Sequence, residues 1–275
     1  MNRKLRIGLK LFGWIFVLVW LIYGLNYANK TYNSTKCTAV NVRVIDSLQV
    51  KLIDAKKIHK AIISSKNSPI GMPIKSINTY KLEQEISKMA AVRDVQIFKT
   101  ASGEINVEIK QRRPILRVFN AKGQTYYIDD AGKILPHSSG FAANTIVASG
   151  NIREPFKIKP NFDISTYADS SVGGKQSLIY KLYKFAKYVS RSRLWNAQIE
   201  QLNVQDPNNV EMVPLVGPHV VNLGDLSNFE IKLKKLKLLY QKALPTEGWN
   251  KYSYINLKYK NQIVCTKNFY YGTRQ

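Results

Sequence analysis

The chain is poor in the residue types from which most catalytic and metal sites are built. It has three histidines and two cysteines in 275 residues, and His59, His137 and His219 lie far apart in three different local settings. Cys37 and Cys265 cannot by themselves make a disulfide framework or a four-thiolate zinc site. They read as two structural thiols, and a pairing between them turns on a separation that sequence does not give. The phosphate-cradling patterns GxxxxGK[ST] and GxGxxG and the GxSxG nucleophile turn are absent, and Gly173-Gly174-Lys175 lacks the upstream glycine of a phosphate loop. No nucleophile stands beside a visible base. The chain therefore reads as a non-enzymatic protein with no cofactor and no metal. Acid is the other scarcity: 18 Asp and Glu face 42 Lys and Arg, a formal net charge of +24. The basic residues are mostly Lys, spread from Lys51 through Lys267 as a solvated surface would be. With no zinc-finger spacing and no helix-turn-helix or aromatic RNA-binding signature, nucleic acid is not expected as a partner. An acidic protein or an anionic membrane surface fits the charge better.

Charge is missing altogether from residues 11–29, LFGWIFVLVWLIYGLNYAN. At 1.5 Å rise per residue this run approaches the ~30 Å of a hydrocarbon core. Leu11, Trp14, Phe16, Leu18, Trp20, Ile22, Tyr23 and Tyr27 are the expected membrane-facing anchor residues, the two tyrosines toward the outer boundary. Residues 1–10 carry Arg3, Lys4, Arg6 and Lys10 and no acid, which keeps the amino end in the cytoplasm and exports the rest. A cleaved signal peptide would have a shorter apolar run and small residues before the cut. Asn26 stands three residues upstream of a cut after Ala28, so a retained single span is the reading.

Residues 30–37 form a polar connector, expected to be flexible or extended. From residue 38 the pattern reads strand, helix, helix, strand, strand. Thr38 to Ile45 alternates as a strand, and Asp54 caps a short helix with Ile58 and Ile62 on one face. Asn78 caps a second helix with Leu82, Ile86 and Met89 as its buried stripe. The period then falls to 2, with Val95 and Ile97 and then Ile105, Val107 and Ile109 pointing inward around a TASG hairpin. The second region is richer in strands: Ile115 to Phe119, Tyr126 to Ile128, an Asp129-Asp130-Ala131-Gly132 turn, Lys133 to Leu135, and then a loop-rich stretch to Gly174. A helix is expected over Gln176 to Arg191, with Leu178, Leu182, Phe185 and Val189 inward. Strands follow at Ile199 to Val204, Val210 to Val216 and His219 to Leu223. Another helix runs from about Ser227 to Ala243, with Phe229, Leu233, Leu236 and Tyr240 as its stripe. Tyr252 to Tyr259 and Gln262 to Thr266 close the chain as strands.

On this pattern the chain resembles the FtsQ/DivIB family of bacterial cell-division proteins. The resemblance is carried by QRRPILRV at 111–118, YYIDDAGKILP at 126–136, VVNLG at 220–224 with the helix after it, and YSYINLKYKN at 252–261. It implies an α+β chain: a cytoplasmic tail at 1–10, a transmembrane helix at 11–29, a connector at 30–37 and a POTRA domain of β-α-α-β-β order at 38–111. A β-rich domain with an antiparallel sheet and flanking helices follows at 112–267, and a tail at 268–275. It further implies a scaffold in the cytoplasmic membrane, concentrated at the division septum with its domains in the periplasm or outside. Its partners would be FtsB-like and FtsL-like coiled-coil proteins and the septal peptidoglycan synthesis machinery. The partner would add as a strand at a sheet edge around Lys258, Tyr259, Lys260, Asn261, Gln262, Ile263, Val264 and Cys265. Whether Tyr259 anchors a partner or packs in the core is open at this point. A second function is a POTRA-bearing receiver of exported chains, again by strand addition, although such proteins usually carry several POTRA units and a membrane barrel.

Overall fold

A computed structural model describes residues 3–45, 52–65, 68–137, 143–167 and 177–269. The chain divides into two compact units, Met1–Gln111 and Arg112–Gln275. The side chain of Leu11, Gln176 at the expected helix start and the tail beyond Phe269 lie outside the described residues. In the first unit the uncharged run is helical, but helix α1 extends from Arg3 to Ser34. Neither proline nor glycine intervenes between Gly24 and Cys37, so nothing local stops the helix where the connector was expected to begin. Every described side chain from Phe12 to Tyr27 is exposed. The side chains of α1 are described only over residues 12–27, and among the described residues no helix is long and apolar enough to cross a membrane.

The rest of this unit is a three-stranded sheet with a helix layer. Its elements are β1 (Ala39–Val44), α2 (Ala55–Ile63), a 3₁₀ turn at Ile74–Ser76, α3 (Thr79–Ser87), β2 (Val92–Lys99) and β3 (Glu104–Gln111). The sheet order is β1-β3-β2, with β1 parallel and β2 antiparallel to β3. Both helices start on the expected caps: Asp54 accepts the Lys56 N–H at 2.9 Å and Asn78 accepts the Lys81 N–H at 3.0 Å. Ile58, Ile62, Leu82 and Ile86 bury against Val40, Val95, Ile97, Ile105, Val107 and Ile109. Met89 does not join them. The helix ends at Ser87, which leaves Met89 exposed past its last turn.

The second unit is a nine-stranded sheet in the order β12-β11-β10-β9-β8-β7-β4-β5-β6. These strands are β4 (Pro114–Phe119), β5 (Thr125–Asp129), β6 (Ile134–Pro136), β7 (Ile146–Gly150), β8 (Ile199–Asp206), β9 (Asn209–Pro214), β10 (Val220–Gly224), β11 (Tyr252–Asn256) and β12 (Val264–Lys267). The helices are α4 (Leu178–Arg191), α5 (Arg193–Asn196), α6 (Phe229–Leu238) and α7 (Leu244–Glu247). Leu182, Phe185 and Val189 of α4 and Phe229, Leu233 and Leu236 of α6 pack with Leu116, Val118, Leu202, Val204, Met212, Val221 and Ile255 in one core.

Three expectations need correction here. The sheet is mixed: β4 with β7, β7 with β8 and β10 with β11 run parallel. The stretch expected to be loops contributes β7, which sits between β4 and β8. Its five residues end on Gly150 at φ 109°, where an added Cβ would lie 2.3 Å from the Val204 carbonyl oxygen, so only glycine lets the two strands approach. The helix expected to run to Ala243 changes register at Leu239–Ala243, a π-helical turn. Pro245 follows one residue later and has no N–H to return to the Gln241 carbonyl. Tyr240, in this turn, is half-buried and meets the His219 ring with its hydroxyl 2.6 Å from Nε2.

Candidate functional site: an open strand edge

A sheet ends in two strands whose outer N–H and C=O groups need partners or water. At one end of the nine-stranded sheet the chain supplies those partners itself. Ile134 of β6 receives the Asn161 N–H and donates to the Phe162 carbonyl, each at 2.9 Å, and Ile164 N–H reaches Gly132 at 2.9 Å. A Lys133–Asp163 ion pair at 2.9 Å pins the same segment. The other end is β12. It pairs with β11 through Ile255↔Cys265 and Asn256↔Val264, and among the described residues no strand lies on its far side. Asn268 N–H donates inward to Lys251 at 2.8 Å. By strand alternation Cys265 and Lys267 therefore turn their N–H and C=O outward.

The residues expected at this edge divide between strand and connection. Only Val264 and Cys265 lie in β12. Strand β11 stops at Asn256, so Lys258, Tyr259, Lys260, Asn261, Gln262 and Ile263 belong to the turn between the two strands. Tyr259 is outside the core and 50 % exposed, so its ring is not a core side chain. Its ring borders a groove of about 410 Å³ formed with Leu257, Ile231, Lys232, Lys235 and Asn208. Ile231 is 58 % exposed on the outward side of α6. Lys258 is not a freely solvated cation either. Its Nζ donates to Asn209 Oδ1 at 3.0 Å, and its stem lies over Gly224, where an added Cβ would meet Cγ at 2.7 Å. Lys235 Nζ donates to the Lys260 carbonyl and ties the turn to α6. Cys265 packs its sulfur toward the core.

The groove is basic, and its one acid is already engaged. Burial pushes the Asp225 carboxyl up, but the Ser227 hydroxyl and N–H, with the Lys181 and Lys232 ammoniums at 3.7 and 3.6 Å, outweigh it and hold the group at about 2. Burial draws the Lys232 pKa down, Asp225 partly offsetting this, while its Nζ donates to the Leu223 carbonyl at 2.6 Å. Behind the edge a polar row fixes the last strands. Asn203 donates to Glu211 at 3.3 Å, Tyr254 donates to Glu211 at 3.1 Å, and Asn222 donates to Tyr254 at 2.8 Å. These contacts hold β8 to β11 in register, so β12 is presented on a rigid frame.

Sequence reasoning missed the α6 side of the groove. Ile231, Lys232 and Lys235 lie in a helix read only for its buried stripe, and the cue was available: an isoleucine and two lysines off that stripe with one acid, Glu230, beside them. Elsewhere the titratable groups have structural work. Asp129, 1 % exposed, accepts from Arg112 at 2.8 Å and from the Ala131 and Lys133 N–H groups, as a turn residue does. Among the described residues no three His, Cys, Asp or Glu side chains gather as metal ligands. Burial pushes both thiols up, so neither is activated, and both are free. In the first unit the outer edge of β2 is partly closed, because Glu83 Oε1 accepts the Ile97 N–H at 2.7 Å.

His219 is 2 % exposed, its Nδ1 has no hydrogen-bond partner among the described residues, and burial lowers its pKa. The unfolded chain therefore takes up a proton near pH 6.5 that the folded chain refuses. Stability should be fully present above about pH 6.5 and fall below it, by up to about 1.4 kcal/mol per pH unit. Thermal unfolding from pH 7.5 to 5 checks this: the slope should flatten in His219→Gln, and an unchanged slope would remove His219 as its source.

Among the described residues the site is therefore an unpaired edge strand on a rigid sheet, bordered by a basic, partly apolar groove. Residues 35–110 match a POTRA-like domain, and residues 113–266 match the family described as FtsQ/DivIB, C-terminal related. The chain belongs to the FtsQ/DivIB family, whose domains are those of cell-division scaffolds. Among curated proteins none matches it.

Proposed function

We propose that this chain is a non-enzymatic division scaffold that binds a partner outside the cytoplasm by accepting its strand at β12. The observation that carries the reading is the asymmetry of the large sheet, closed at β6 by the chain's own backbone and, among the described residues, open at β12. The partner segment is extended where it meets Cys265 and Lys267, acidic beside Lys258 and Lys260, and apolar where it meets Tyr259 and Ile231. An FtsB-like coiled-coil protein with an FtsL-like companion is the partner this family implies, and through them the scaffold recruits and regulates septal peptidoglycan synthesis. Helix α1 holds the chain to the cytoplasmic membrane. Support for a single span is its uncharged run with exposed apolar side chains on every side, a surface stable in hydrocarbon, and the basic residues before it. The receiver of exported chains is the weaker reading, since one of the two edges of the small sheet, β2, is partly occupied by Glu83.

Tyr259→Ala tests the groove. Because the ring is half-exposed and outside the core, the melting temperature should stay unchanged, while affinity for an FtsB-like partner should fall by about 2 kcal/mol, roughly thirtyfold. A folded variant that binds normally would remove Tyr259 from the interface. A photoreactive residue at position 259 in living cells should give adducts with a small coiled-coil division protein; adducts with outer-membrane precursors would favour the receiver.

A further inference from the structure

On the side of α6 away from Tyr259 lies a second groove, of about 470 Å³, walled by α4 and the first turn of α6. We propose that it is a separate docking site for an acidic, helical peptide segment carrying an aromatic or aliphatic anchor. Lys184, Lys187, Tyr188 and Arg191 follow the spacing i, i+3, i+4, i+7, which puts three cations and one ring along a single face of α4. Lys181, one turn earlier, has a structural acid in Asp225. The side chains of Lys184 and Arg191 make no hydrogen bond or ion pair among the described residues, and Lys187 meets no acid, donating to the Tyr183 hydroxyl at 2.8 Å and lying 5.2 Å from its ring centre. The dipole of α4 accounts for one cation in its last turn, Arg191, and not for the two that precede it.

The apolar part is already placed. Tyr188 is 39 % exposed and meets Phe229 edge-on at 5.5 Å between ring centres. Those two rings make a floor on which an incoming side chain can stack, with the cations at the rim. The volume falls within the ~300–1,000 Å³ of pockets that admit a few groups. Concavity and charge choose the occupant. A membrane surface cannot enter a groove between two helices, and Glu230 on the α6 wall confines an incoming segment's carboxylates to the α4 side. A helix with carboxylates three or four residues apart matches the row on α4 turn for turn. The site shares no lining residue with the groove at Tyr259, so it stands whether or not β12 is the docking edge.

The test uses the full chain in neutral detergent. The probe is a fluorescein-labelled synthetic helical peptide with Glu at i, i+4 and i+7 and one Phe, followed by anisotropy at about 0.15 M salt. The acidic peptide should bind, and its Gln analogue should not. Lys184→Gln with Arg191→Gln should weaken binding at least about tenfold, and Tyr188→Ala several-fold, with melting temperatures retained. Lys258→Gln with Lys260→Gln should change it less than about twofold. Equal loss from the two double variants would overturn the proposal, since the peptide would then be reading general charge. Displacement of the peptide by short-chain phosphatidylglycerol, at concentrations where phosphatidylcholine has no effect, would overturn it in favour of a lipid site.

Discussion

Replacing Lys267 by proline should abolish partner binding while leaving the fold intact. Lys267 lies in the edge strand, exposed, with its N–H directed away from β11, so the ladder to β11 loses no hydrogen bond. Proline is tolerated on such an edge for that reason. Its neighbour Thr266 is already extended, the conformation proline requires of the residue before it. An added strand fares differently: it loses a donor, meets the ring, and cannot keep register past it. The expected result is a loss of affinity of more than about a hundredfold, beyond the single hydrogen bond removed, because strand addition is cooperative along the edge. Lys267→Ala is the control and should bind within a few-fold of the parent chain. If the proline variant is folded and binds as the parent does, the partner does not add to β12.

Asp129→Ala should be the most damaging single change to the second unit. The carboxylate sits at the end of β5, 1 % exposed. It accepts Arg112 Nη1 at 2.8 Å and the N–H groups of Ala131 at 3.0 Å and Lys133 at 2.6 Å. Its backbone closes the same turn, donating to Lys133 and accepting from Gly132, which stands at φ 83°. Alanine leaves two N–H groups and a largely buried guanidinium without their acceptor. Breaking one side of a buried pair costs about 3–5 kcal/mol, or on the order of 10 °C in melting temperature for a unit of this size. Asp129→Asn keeps one oxygen for the turn and should cost less. Both can be followed by unfolding monitored through Trp195 and Trp249, the two tryptophans of this unit. A loss below about 1 kcal/mol in the alanine variant would show that the turn holds itself.

How much of this could be read in the sequence follows from how local each signal is. The caps at Asp54 and Asn78 and the alternation of Ile105, Val107 and Ile109 depend on near neighbours, and each is found where it was expected. The YYIDDAGKILP hairpin was legible as a turn for the same reason. That its aspartate also holds Arg112, seventeen residues earlier, was not. Strand β7 escaped because five residues ending in glycine carry too little periodicity, and its pairing with β4 and β8 is entirely long-range. The candidate site divides the same way. Its strand was recognised near its true position, but its far wall on α6 depends on how a helix about thirty residues earlier packs. The seal on β6 comes from backbone atoms of residues 161–164, and no side-chain pattern announces it.

Backbone amide exchange reads the acceptance of a partner strand by β12 directly. The full chain would be followed by hydrogen exchange with and without an FtsB-like partner, at single-residue resolution over residues 255–269. The outward amides of Cys265 and Lys267 should exchange freely in the chain alone and become protected in the complex, with Ile255 unchanged. Protection confined to the turn at 257–263, with Cys265 and Lys267 still exchanging freely in a saturated complex, would contradict it.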